Sequence, residues 1–146
     1  MFRRILHPSD FSSASRRAFA KAVDLAKASG AELIVTHVLT SALPVVARGY
    51  VPAKAYREME AAARREGQEH LAVLVAKAKR AGVRTRALLL EGVAADRIVR
   101  AARSRHADVI VMGTHGRTGL DRFMLGSVAS RVVSHARCPV LTLRGR

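Results

Sequence analysis

Short apolar runs alternate with longer stretches of helical periodicity, and this alternation restricts the chain to few folds. Leu33-Ile34-Val35 and Val109-Ile110-Val111 are apolar without interruption, as strands are when both faces of their sheet are covered. Strands are expected at residues 4–7, 32–39, 84–90, 108–113 and 139–143. Four helices fall between them. The first, 13–29, carries Ala18, Ala22, Leu25 and Ala26 on one face and stops at Gly30. The second, 53–81, carries Met59, Ala63, Gly67, Leu71, Leu74 and Ala78 at helical spacing, then Gly82; Gly67 weakens its middle by roughly 1 kcal/mol. The third, 94–104, presents Ala94, Ile98, Ala101 and Ala102, and the fourth, from Ser127, presents Ala129, Val132, Val133 and Ala136. This βαβαβαβαβ order predicts one α/β domain over residues 1–146, a doubly wound five-stranded parallel sheet with helices on both faces. Such sheets bind ligands beyond the carboxyl ends of the strands, where strand order reverses. The longest connection, 40–52, contains Pro44, Gly49 and Pro52 and either covers that rim or is a plain surface segment.

With 49% hydrophobic but only 4% aromatic residues, the core is built from Ala, Val, Leu and Ile. The single cysteine, Cys138, excludes an intrachain disulfide and a cysteine zinc site and fits a reducing compartment. Placed before Pro139 at a strand start, it reads as buried and inert. Met1 to Leu6 hold no signal-peptide core, and no apolar run approaches the ~18 residues of a membrane span. A cytoplasmic protein off the membrane is expected. The net charge of +15 admits an anionic small ligand, nucleic acid, or a solvated basic surface. The basic residues are spread over every segment, which favours the solvated surface. No aromatic residues interleave with them, which disfavours nucleic acid.

The chemistry points to one loop. Gly113-Thr114-His115-Gly116 follows the fourth strand, and after nine residues Gly126-Ser127 opens the last helix. Backbone N–H groups and the positive end of a helix dipole together make an anion site there. Glycines 113 and 116 let the backbone pass close to a ligand. Gly126 exposes N–H groups, and Ser127 either donates to a phosphate oxygen or serves only as an N-cap. The spacing matches neither the ordinary P-loop nor the Gly-x-Gly-x-x-Gly fingerprint. A Gly-x-x-Gly pair also occurs in KH modules, but the strand before it argues otherwise. After the first strand comes Pro8-Ser9-Asp10-Phe11-Ser12. Across the switch point, Asp10 faces the glycine loop and either holds ribose hydroxyls or caps the first helix. His7 precedes that turn and reads as a packed histidine, while within the glycine loop His115 is a candidate phosphate contact and Arg117 and Arg122 either neutralise phosphate charge or are solvated loop residues. His37, His70, His106 and His135 show no metal-ligand spacing.

These segments resemble the universal stress protein family, whose ATP-binding branch carries Gly-x2-Gly-x9-Gly-Ser/Thr. Gly113, Gly116, Gly126 and Ser127 fit that pattern without a gap, and the likeness extends to residues 5–12, His37-Val38, 111–119 and 138–141. The resemblance implies an adenine-nucleotide alpha-hydrolase-like fold with strand order 3-2-1-4-5. It implies that the chain binds ATP, or AMP or ADP, in the branch that often takes Mg2+ or Mn2+. It implies that Pro8 belongs to the nucleotide site, that Asp10 contacts ribose, that Val38 meets adenine through its backbone, and that Gly113 and Gly116 approach ribose and phosphates. Gly126, Ser127 and Val128 would then hold phosphate oxygens. It further implies a homodimer through the last strand, residues 140–143. His7 departs from the family, where an apolar residue is usual.

Three functions stay open on this reading. One is a nucleotide-dependent sensor or interaction module in stress response, favoured because no Glu or Gln near the glycine loop is placed to orient a water. Another is a slow metal-dependent ATPase using Asp10 or Asp121. The last is a nucleic-acid-associated basic protein.

Overall fold

Each apolar run becomes a strand and each periodic stretch a helix in the computed structural model, which describes residues 1–40, 49, 51–115 and 125–145. The order is β1 (Arg4–Pro8), α1 (Ser13–Ser29), β2 (Glu32–Leu39), α2 (Ala53–Arg80), β3 (Thr85–Glu91), α3 (Ala94–Ser104), β4 (Val109–Gly113), α4 (Ser127–His135) and β5 (Val140–Leu143). All paired strands are parallel, in the order β3-β2-β1-β4-β5. The doubly wound sheet is therefore as expected, with its switch point between β1 and β4.

Two apolar layers sandwich the sheet. On one face Ile5, Leu33, Val35 and Val111 meet Ala18, Phe19, Ala22 and Ala26 of α1 and Leu71 and Ala78 of α2. On the other, Leu6, Ile34, Ile110 and Met112 meet Ala95, Ile98 and Ala102 of α3 and Ala129 and Val132 of α4. Small alanines on α1 let its axis settle close to β1. Ser12 caps that helix by accepting the Ser15 N–H, and Gly30 closes it at φ 65 in the left-handed region.

Helix α2 departs from the simple reading of its apolar stripe. Gly67, Leu71 and Ala78 are buried, but Met59 is 58% exposed and Ala63 is exposed too. The cause is length. Its 28 residues extend about 42 Å, whereas the eight residues of β2 cover about 26 Å. The first turns therefore overshoot the sheet. Gly67 also gains a reason: a Cβ there would stand 3.1 Å from Leu89 Cδ1 and 3.2 Å from His37 Cδ2. The glycine seats the helix on β2 and β3. Residues 41–48 and 50 of the 40–52 connection lie outside the described residues, Pro44 among them.

Candidate functional site at the β1–β4 crevice

The crevice opens where a ladder runs out of donors. β1 pairs with β2 through all five of its residues, but with β4 only at Ile5↔Val109 and Leu6↔Ile110. The Ser9 N–H bonds to Thr36 O on the β2 side, so by alternation the N–H of residue 8 would face β4 and meet the Val111 carbonyl. Residue 8 is proline and has no N–H. His7 supplies the donor instead, its Nδ1 lying 2.8 Å from Val111 O. A side-chain donor at position 7 thus replaces the missing main-chain one. His7 is fully buried, tilted against Phe19 with ring centroids 5.7 Å apart. Burial drives its pKa down from 6.5 to about 4, against a smaller opposing pull from the Val111 bond. It is a packed neutral imidazole.

Beyond Pro8 the chain turns sharply into α1. Ser9 Oγ and Ser15 Oγ lie 2.8 Å apart, Phe11 N–H donates to Ser9 Oγ, and Ser12 N–H donates to Asp10 Oδ1 at 3.0 Å. Asp10 thus closes a tight turn, while the α1 cap is Ser12. Phe11 takes φ 63, an uncommon backbone for a bulky side chain that its surroundings must hold in place. They do so on two sides: His37 and His70 each place a ring centroid 4.5 Å from the Phe11 ring. His37 Nδ1 also lies 2.8 Å from Ser9 O. No local pattern announces this three-ring anchor, although His37 lies on the same face as Leu33 and Val35 by strand alternation.

Val38 sits one strand over. Gly92 N–H bonds to Leu39 O on the β3 side, so the Val38 N–H and C=O face the β1 side by alternation, level with the turn where β1 has ended. Its backbone edge therefore opens on the same rim as Pro8 and Asp10.

The glycine loop is pinched at its root. Thr114 N–H bonds to Leu143 O at 2.8 Å, and Gly126 N–H bonds to Thr114 O at 2.7 Å. A Cβ on residue 126 would come within 2.7 Å of that same oxygen, so only glycine permits the approach. Gly126, at an ordinary φ of −58, is the N-cap of α4 and brings no side-chain cap bond. Ser127 is consequently the first helical residue and not a cap. Its hydroxyl and the N–H groups of the first turn stand at the positive end of α4, with the first intrahelical bond running from Ser130 N–H to Gly126 O. Ser127 and Val128 are exposed. Gly113 is packed against α1: a Cβ there would meet Ala14 and Ser15 atoms at 3.0–3.1 Å. Its missing side chain admits that helix. Thr114 is buried, its Oγ1 2.8 Å from His115 Nδ1. Gly116, Arg117, Asp121 and Arg122 lie outside the described residues.

The ends of β2, β1 and β4 and the start of α4 thus form one rim. On it lie Val38, Pro8, Asp10, Gly113, Gly126, Ser127 and Val128. Among the described residues no three His, Cys, Asp or Glu side chains group as metal ligands. Nor is any helix long and apolar enough to cross a membrane.

Fold and rim together define a doubly wound α/β domain with a helix N-terminus lacking a side-chain cap at its switch point. The chain belongs to the universal stress protein family, whose profile matches residues 1–144. It is 39% identical over 145 residues to universal stress protein MJ0531 of Methanocaldococcus jannaschii, covering 99% of this chain and 83% of that one. It is 35% identical to universal stress protein YxiE of Bacillus subtilis, covering 99% and 100%. The fold superposes on MJ0577, also of M. jannaschii, with a TM-score of 0.86 at 24% identity, covering 100% of this chain and 98% of the other. Two further structures share the fold: an Arabidopsis thaliana family protein solved with AMP bound (TM-score 0.71, 22% identity, 99% and 92% coverage) and a universal stress protein in complex with cAMP (0.70, 24%, 99% and 98%).

Proposed function

We infer that this chain binds an adenine nucleotide across the β1–β4 crevice and works as a nucleotide-dependent sensor or interaction module in the stress response. The observation that carries the reading is the pinch between Gly126 and Thr114. It leaves the first turn of α4 without a side-chain cap, facing the rim that carries the Asp10 turn. An anion completes such a helix end. The AMP and cAMP complexes of proteins with this fold support the class of ligand. Asp10, whose carboxylate already shapes the turn, would hold ribose. Pro8 would line it, and the Val38 backbone edge would meet adenine. Gly126, Ser127 and Val128 would take phosphate oxygens, with Gly113 and Gly116 approaching ribose and phosphates. ATP is the proposed nucleotide, because the Gly-x2-Gly-x9-Gly-Ser motif is complete. Mg2+ or Mn2+ would enter with the phosphates, there being no protein metal cluster among the described residues.

A second copy is the proposed partner. β5 lies at the sheet edge beside β4 with Leu141 exposed, an edge able to pair with its own twin. The proposed setting is the cytoplasm.

Calorimetric titration with ATP, AMP, cAMP and GTP, with and without MgCl2, tests the ligand. Adenine nucleotides should bind at one per chain and GTP much more weakly. Absence of heat with every adenine nucleotide would overturn the reading. Repeated phosphate release from ATP, abolished in Gly126→Ala, would replace the sensor by a slow ATPase. Light scattering should give twice the chain mass, and a single-chain mass would remove the dimer.

A further inference from the structure

Basic residues that are scattered in sequence become one pole in the fold. In a parallel doubly wound sheet every strand starts, and every helix ends, at the same end of the domain. At that end lie residues 3–4, 27–32, 77–86, 103–109 and 135–140, which hold eleven Lys or Arg against two carboxylates. The rest of the described chain holds eleven against eight. The excess positive charge therefore sits opposite the rim proposed to hold phosphates, and that ligand does not account for it.

The two carboxylates are already engaged. Asp108 Oδ2 accepts the Arg3 and Arg4 N–H groups at 2.7 and 2.8 Å. Glu32 pairs with Arg86 at 3.1 Å and more loosely with Arg4 at 3.9 Å. Among the described residues, Lys27, Arg80, Arg103 and Arg137, one from the end of each helix, are exposed. None of the four has an ion pair or side-chain hydrogen bond there. Lys and Arg near a helix C-terminus offset its dipole, which accounts for some of them. It does not account for Arg3 and Arg86, which lie at strand starts, whereas Arg4 and Arg84 donate to the helix-end carbonyls of Arg105 and Gly30 at 3.4 and 3.3 Å.

We propose that this pole is a docking face for the phosphate backbone of duplex nucleic acid, separate from the nucleotide rim. Arginine predominates over lysine in these segments, and its planar fork suits phosphate oxygens. The segments contain no Phe, Tyr or Trp, so the contact lacks base stacking and is independent of sequence. Apart from Met1 beside them, they expose no large apolar side chain, so an anionic membrane would find little anchor.

The test is fluorescence anisotropy with a labelled 20-base-pair DNA duplex of mixed sequence, from low salt to about 0.15 M KCl. Binding should weaken along a log–log slope of about −4 to −6, as for five or six neutralised phosphates. The variant Lys27→Glu/Arg80→Glu/Arg103→Glu/Arg137→Glu should lose at least tenfold in affinity and flatten the slope. A control with the same charge change elsewhere, Arg17→Glu/Lys21→Glu/Arg57→Glu/Arg100→Glu, should lose less than threefold. Circular dichroism checks that both fold, and Gln replacements at the same four pole positions serve if the reversal does not. Equal losses in the two sets would overturn the proposal, leaving only net charge. Capture by phosphatidylserine vesicles without duplex binding would overturn it in favour of a lipid surface. Asp10→Ala should leave duplex affinity unchanged, so failure of the nucleotide reading and of this one are distinguishable.

Discussion

His7 makes the fold sensitive to mild acid through one buried ring. Its Nδ1 serves the Val111 carbonyl left without a donor by Pro8, and its Nε2 has no partner among the described residues. Protonation would place a charge inside an apolar layer beside Phe19. The folded pKa is about 4, against 6.5 for the free side chain. Because the folded value is the lower one, the unfolded chain binds more protons between those pH values. Stability is therefore full above pH 6.5 and falls as pH drops toward 4. Two and a half pKa units correspond to about 3 kcal/mol, a large share of the 5–15 kcal/mol typical of a domain. Urea unfolding at pH 7, 6, 5 and 4 should show it, compared with His7→Asn, whose amide nitrogen can stand in for Nδ1 without titrating. The variant should begin less stable, because part of the ring volume is lost, and should then lose about 3 kcal/mol less than the parent between pH 7 and 4. Parallel profiles would refute the reasoning, as would an NMR titration in which the His7 ring protonates near pH 6.

Gly126→Ala should weaken ATP binding tenfold or more and cost about 1–3 kcal/mol of stability, because its Cβ would meet Thr114 O at 2.7 Å; calorimetry and thermal melting read the two effects. His37→Leu should weaken ATP binding several-fold by releasing Ser9 O, whereas His37→Asn, which keeps a donor near the Nδ1 position, should recover most of it. Equal losses in both would assign His37 to packing alone. Asp108→Ala should cost up to about 1 kcal/mol at pH 7, reduced by solvent exposure, through two lost bonds donated by main-chain N–H groups. Those bonds hold its carboxyl below the usual range, so the penalty is present above the ordinary carboxylate pKa and fades only as pH falls through the depressed folded value. Urea unfolding at pH 7 and pH 3 checks both the size and the sign.

Much of this architecture was legible because it is local. Uninterrupted runs such as Val109-Ile110-Val111 announce buried parallel strands, and the Ala18–Ala22–Ala26 face announces a helix lying close to a sheet. The site was legible as a motif but not as a mechanism. Gly113 reads as room for a ligand, yet the fold gives that room to Ala14, which is nearly a hundred residues away in sequence. The role of His7 depends on a carbonyl orphaned by Pro8 on a neighbouring strand, and no window of sequence contains both partners. Gly67 reads as a helix defect until β2 and β3 are packed against it. Met59 and Ala63 fit an apolar stripe whose sheet ends before it reaches them. The basic pole escaped for the same reason: Lys27, Arg80, Arg103 and Arg137 become neighbours of one end only through parallel topology.

The measurement that tests the nucleotide crevice most directly is an amide NMR map during titration with ATP and, separately, with adenosine. ATP should shift Ser127 and Val128 at the start of α4 together with Asp10 and Val38, while adenosine should shift only the latter pair. The account would be contradicted if the largest ATP shifts fell in the groove between α3 and α4, at Arg100, Arg131 and His135, or at the basic pole, with the rim residues unmoved.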